Sequence, residues 1–163
     1  MPIKVLFVCL GNICRSPTAH GIFEQQVADK HLSELIIVDS AGTGDWHLGH
    51  SPDERSAKAA LARGYDLSKL SARLVTKEDF KHFDYILAMD KTNLSNLKAM
   101  SPSAYHGELK LFLSYGDKTV IKNLPEEVPD PYTGGTEGFE YVLDLVEHTS
   151  AALLRHIVEK HQL

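Results

Sequence analysis

Short β-branched and aromatic runs alternate with stretches of helical spacing along the whole chain, and this alternation narrows the possible folds more than any other feature. Residues 3–8 (Ile-Lys-Val-Leu-Phe-Val) lie between Pro2 and Gly11 and read as a buried strand. Past Pro17, which suits the first turn of a helix, Ala19, Ile22, Phe23 and Val27 recur at helical spacing. A second strand is expected over 35–38, closed by Ser40-Ala41-Gly42. The helix expected over 53–63 has Ala57, Ala60 and Leu61 inward and Gly64 as its stop. Thr76 with Asp79 resembles a capping pair for a short helix ending near Lys81. A third strand over 85–89 leads to a helix capped by Asp90, carrying Leu94, Leu97 and Met100 and ended by Pro102. A fourth strand over 109–112 and a long helix from Gly138 through Ile157 complete the pattern. Strands separated by helices pair in parallel, in a sheet covered on both faces through right-handed crossovers. Ligands of such sheets bind at the carboxyl ends of the strands.

The 163 residues are expected to form one domain, 1–163, and 43% apolar with 24% charged residues is a globular composition. A net charge of −5 offers no long-range attraction to phosphate backbones, so nucleic acid is not an expected partner. No apolar run approaches the ~20 residues of a membrane helix. The longest, over 5–10, is too short for a secretory signal. Two cysteines, Cys9 and Cys14, cannot staple a domain of this size, which favours a reduced, cytoplasmic setting. Among nine histidines, His47 and His50 are three apart and His156 and His161 five apart, but no Cys or carboxylate completes a ligand set. Neither a metal nor a cofactor is expected, and most of the histidines are expected on the surface or in loops.

The first strand runs into Cys9-Leu10-Gly11-Asn12-Ile13-Cys14-Arg15-Ser16-Pro17 and then a helix: a Cys, five residues, an Arg and a Ser. A short loop entering a helix N-terminus turns successive backbone N–H groups inward and cradles a tetrahedral anion. Gly11 allows close backbone approach, and Arg15 can fork two donors onto phosphate oxygens. Cys9 lies at the floor of this cradle, where the helix terminus and the guanidinium both favour thiolate, and Ser16 can donate to the sulfur. A thiolate beneath a phosphate cradle is a nucleophile for phosphorus. Taken singly, each residue has a plainer reading as a packed thiol, a surface Arg or a turn; their joint spacing at the expected sheet edge favours the site.

VCLGNICRSP over 8–17, SAGT over 40–43, Trp46-His47-Leu48-Gly49, AMD over 88–90 and DPYTGG over 130–135 together resemble the low-molecular-weight protein tyrosine phosphatases, the Trp46 stretch being nearer to their bacterial branch. The similarity runs from about Ile3 into the last helix. It implies a three-layer α/β fold whose four-stranded parallel sheet has the order 2-1-3-4. The implied activity is metal-free hydrolysis of phosphotyrosine through a phosphocysteine. Cys9 is then the nucleophile, with Arg15 and the loop Leu10, Gly11, Asn12, Ile13 and Cys14 as phosphate clamp. Asp130 is the acid that releases the aryl group and then the base that activates water; from the residues alone, Asp130-Pro131 is equally a turn. The resemblance also makes Trp46 and Tyr132 the aromatic walls, and Ser40 with Asn12 and Ser16 supports of the loop. Cys14 becomes a redox partner that traps oxidised Cys9. Implied partners are tyrosine-phosphorylated proteins, among them an autophosphorylating tyrosine kinase, with phosphate and other oxyanions as inhibitors and a monomer or weak dimer as the assembly. Two positions depart from relatives: Thr133 stands where many have a second Tyr, and Ser71 precedes the Ala72-Arg73 pair where some have a His or an extra Arg.

Three other functions fit parts of the pattern. A thiol-dependent arsenate reductase needs further cysteines downstream, and none follows Cys14. A phosphocysteine carrier has no need of Arg15 or Asp130. A phosphotyrosine- or anion-binding module would keep the cradle without turnover.

Overall fold

The computed structural model describes residues 1–131 and 135–163. Four parallel strands, β1 (Ile3–Cys9), β2 (Ile36–Gly42), β3 (Tyr85–Ala88) and β4 (Glu108–Leu111), form one sheet in the order β2-β1-β3-β4. Helices α1 (Arg15–Asp29), α2 (Glu54–Ala62), α3 (Asp79–His82), α4 (Lys91–Met100) and α5 (Thr136–His161) supply the other layers, with a 3-10 turn over Phe112–Tyr115. This is the expected three-layer architecture and strand order.

Alternation along β1 divides the core in two. Val5, Phe7 and Cys9 face α1 and α5, while Leu6 and Val8 face Phe80 of α3 and Leu97 of α4. Phe7 meets Phe23 and Phe112 edge-on, with centroids 5.6 and 5.2 Å away, two residues before Cys9 and on the same face. A central strand buried on both sides has little freedom to shift, so the end of β1 is a rigid mount for Cys9.

Several elements differ from expectation. β2 continues through Ser40, Ala41 and Gly42 because these residues stay in register with Phe7, Val8 and Cys9. In α2 Ala60 is buried as expected, but Leu61 is 62% exposed and Ala57 half-buried, and Ser56 faces inward in their place. Besides Ala60 in the core, Arg63 at the helix end ties it to α5, bonding Glu140 (2.8 Å), Asp144 (3.0 Å) and Glu147. Burial works against the Arg63 charge, but these carboxylates hold it well above the ordinary arginine range. Asp79 starts α3 with Glu78, not Thr76, as its N-cap, and its Oδ2 accepts from the Thr76 N–H at 2.8 Å in the turn before the helix. Phe112 has left β4 for the 3-10 turn, and α5 begins at Thr136. Among the described residues, no helix is long and apolar enough to cross a membrane.

Candidate active site

The carboxyl ends of β1, β2 and β3 converge at one edge of the sheet, and a cavity of about 220 Å³ opens there. Cys9, Leu10, Gly11, Ile13, Cys14, Arg15, Trp46, His47 and Asp130 line it. It therefore gathers the N-terminal loop, the segment after β2 and a loop more than a hundred residues away.

Asn12 stands in the left-handed backbone region (φ 56°), which Asn tolerates better than most residues. Its Oδ1 accepts from the Arg73 N–H at 3.0 Å, so Nδ2 is the end that donates to Ser16 Oγ at 2.7 Å. Ser16 Oγ lies 3.0 Å from Cys9 Sγ and 3.4 Å from Ala41 O, and a thiolate at Cys9, which can only accept, takes the hydroxyl proton. The Asn12 N–H adds a second donor to the same sulfur at 3.2 Å. Two donors aimed at one sulfur stabilise negative charge on it. The first intrahelical bond of α1 runs from Thr18 N–H to Cys14 O, and Pro17 has no N–H to orphan. The Arg15 and Ser16 amides thus belong to the unsatisfied N-terminus that carries the positive end of the helix dipole.

Arg15 is 5% exposed. Its Nη1 donates to Asp90 Oδ2 (2.7 Å) and to Val128 O (3.1 Å), and its Nη2 lies 4.0 Å from Asp130 Oδ2. Burial opposes its charge, but the negative charge at Cys9 and the Asp90 hydrogen bond outweigh that and raise its pKa above the usual arginine value. Asp90 serves two elements at once. Its Oδ1 accepts from the Asn93 N–H (2.7 Å) in a full capping box for α4, while Oδ2 holds Arg15. Val128 N–H donates to Met89 O at 2.8 Å and docks the late loop on the end of β3, which brings Asp130 over the cavity.

The far side is built by the segment following β2. Thr43 and Gly44 donate to Cys9 O (3.0 Å) and Leu10 O (2.9 Å). Trp46, 69% exposed, packs its indole against Gly44: a Cβ there would come within 1.9 Å of the ring, so any larger residue would displace the indole from this position. His47 covers Gly11 in a similar way, with a Cβ there meeting its Cδ2 at 3.0 Å. Cys14 is buried within the loop, and burial drives its thiol up to about 12.

Of the sequence-derived residues, Cys9, Leu10, Gly11, Ile13, Cys14, Arg15, Trp46 and Asp130 come together at the cavity, with Asn12 and Ser16 immediately behind it. Ser40 is buried, and its Oγ meets His20 Nδ1 at 3.0 Å. Tyr132 and Thr133 lie outside the described residues. Sequence reasoning missed Asp90 as the Arg15 partner, although an Asp at the carboxyl end of a central strand was a usable signal. It also missed His47 in the lining and the backbone of Arg73 behind Asn12. Among the described residues, no group of three His, Cys, Asp or Glu side chains could hold a metal ion.

A loop with two hydrogen-bonding groups on the Cys9 sulfur, a buried Arg15 and the Asp130 carboxylate thus surround one small cavity. The family model for low molecular weight phosphotyrosine protein phosphatase matches residues 4–163. The low molecular weight protein-tyrosine-phosphatase YfkJ of Bacillus subtilis is 40% identical over 161 residues, 99% of each chain. A protein tyrosine phosphatase of Entamoeba histolytica, solved with Hepes in its active site, superposes with a TM-score of 0.90 at 39% identity over 99% of both chains. A Drosophila arginine phosphatase superposes with a TM-score of 0.85 at 32% identity, covering 94% of this chain and 97% of the other. The chain belongs to the low-molecular-weight phosphotyrosine protein phosphatase family and is a phosphoric monoester hydrolase of the metal-independent kind.

Proposed function

We propose that this protein hydrolyses phosphotyrosine through a phosphocysteine. The observation that carries the reading is the convergence of Cys9, Arg15 and Asp130 on one cavity, with Ser16 and the Asn12 amide on the sulfur. The Cys9 thiolate attacks phosphorus in line, and Arg15 with the loop amides stabilises the equatorial oxygens. The phosphorus–oxygen bond to the phenol breaks as Asp130 gives that oxygen its proton. Water then attacks the phosphocysteine, its proton passes to the Asp130 carboxylate, and phosphate leaves with Cys9 restored as thiolate. Leu10, Ile13 and Trp46 offer an apolar channel above the cradle, which suits a phenyl ring better than the charged guanidinium of phosphoarginine.

Phosphoproteins of the reduced cytoplasm are the substrates this chemistry implies, an autophosphorylating tyrosine kinase among them. Inorganic oxyanions would inhibit by filling the cradle. Cys14 supports a protective role. A peroxide converts the Cys9 thiolate to a sulfenic acid, and the Cys14 thiol condenses with it to give a disulfide and water.

The test is release of p-nitrophenol from p-nitrophenyl phosphate in reducing buffer with EDTA. Turnover by the wild type that is lost in Cys9→Ser is expected; full activity in that variant would remove Cys9 from the nucleophile's role. Phosphotyrosine and phosphoarginine peptides compared side by side decide the substrate class, and preference for phosphoarginine would overturn the phenyl assignment.

A further inference from the structure

One histidine is neither on the surface nor in a loop. His20 is 7% exposed on α1, and both ring nitrogens have partners: Nδ1 lies 3.0 Å from Ser40 Oγ and Nε2 lies 3.5 Å from Glu24 Oε2. A carboxylate only accepts, so in the neutral ring Nε2 carries the hydrogen and Nδ1 accepts from the Ser40 hydroxyl. Glu24 is correspondingly held below the usual carboxylate range, first through its hydrogen bond to His20. A buried imidazole costs solvation unless it is paired, and here the pairing ties two elements together.

His20 follows Ser16 by one helical turn, so both project from the same face of α1. Ser16 Oγ reaches Ala41 O at 3.4 Å and His20 reaches Ser40 Oγ, neighbouring residues of β2. The chain just after them holds the start of the loop, through Thr43 and Gly44 on the carbonyls of Cys9 and Leu10. The end of β2 therefore braces Cys9 from one side and the helix carrying Arg15 from the other.

We propose that His20 is a positioning residue for the phosphate cradle: with Glu24 behind it, it fixes through Ser40 how α1, and with it Arg15 and the loop amides, sits over Cys9. The proposal rests on the phosphatase reading. Misplacing a clamp by about 1 Å can cost on the order of a hundredfold in rate, and loss of one tie of several should cost roughly tenfold.

The experiment is a double-mutant cycle on His20→Leu and Ser40→Ala, read as equilibrium affinity for vanadate and as kcat and KM for p-nitrophenyl phosphate. Each single variant is expected to lower kcat and vanadate affinity roughly tenfold, and the double variant to be no worse than either. His20→Asn, which places a polar atom near the Nδ1 position, is expected to recover most of the loss. Wild-type vanadate affinity and kcat in His20→Leu overturn the proposal, as do losses that multiply in the double variant. If His20→Leu does not fold, Ser40→Ala decides: wild-type vanadate affinity in that variant overturns the proposal, and a roughly tenfold loss at a wild-type melting temperature supports it. A wild type that binds vanadate without turning over the ester sinks only the phosphatase reading, because the vanadate cycle still decides on His20.

Discussion

At the scale of single residues, the site depends on which end of each polar group points where. Because the Arg73 amide takes the Asn12 oxygen, the Asn12 amide nitrogen faces Ser16, and a thiolate at Cys9, which can only accept, takes the Ser16 proton. Asp130 and Asp90 make separable predictions. Asp130→Ala should slow aryl phosphates with poor leaving groups by about 10²–10⁴-fold and activated ones far less, because only a basic leaving oxygen needs the proton. Equal losses across a leaving-group series would take Asp130 out of the acid's role. Asp90 holds Arg15 and caps α4 with different oxygens. Asp90→Asn keeps a good cap and removes the charge, so kcat should drop while stability changes by less than about 1 kcal/mol. Asp90→Ala should lose both, with about 1–2 kcal/mol of stability, measured by urea titration.

At the scale of elements, strands and helices were legible where apolar spacing alone decides them. β1, β3, α1, α4 and most of α5 lie within a few residues of expectation. The misses share a cause, since a partner overrode local pattern. Ser40-Ala41-Gly42 looks like a turn in isolation, but pairing with β1 keeps it extended. Leu61 looks inward by spacing, yet α2 is turned so that Ser56 and Ala60 are buried and Arg63 reaches the carboxylates of α5. The seat of α5 on β4 is also polar. Glu108 bonds Lys160 (2.7 Å), Tyr115 (2.8 Å) and Lys110 (3.1 Å). Burial pushes the Glu108 carboxyl up, but these hydrogen bonds prevail and bring it down to about 2. A carboxylate whose pKa is lower folded than unfolded stabilises the fold fully above its unfolded value near 4.3. That stabilisation disappears as pH falls from there towards about 2. Its half-exposed lysine partners limit the contribution to about 2 kcal/mol. Urea midpoints at pH 6 and pH 3 should therefore converge in Glu108→Gln relative to wild type, and an unchanged pH dependence would show that Glu108 carries none of it.

At the scale of the molecule, the cradle couples to global stability because its parts come from β1, α1, the segment after β2 and the loop after β4. An oxyanion that binds only the folded chain should stabilise it by about 2.7 kcal/mol at a hundred times its Kd. For a chain of this length that raises Tm by roughly 5–10 °C. Vanadate should give this shift in the wild type and lose most of it in Arg15→Ala, as read by thermal unfolding; an equal shift in both would place the anion elsewhere. The sequence by itself determined the alternating α/β pattern and the composition of the N-terminal loop. Both are local: buried runs have a period, and Cys9 to Arg15 lie within one turn of chain. Only the tertiary structure decided that Asp90 grips Arg15, that His20 lies buried against Ser40, and that His47 covers Gly11. Those pairs span 20 to 75 residues of sequence, and each residue's chemistry is ambiguous until folding fixes which partners lie within its reach.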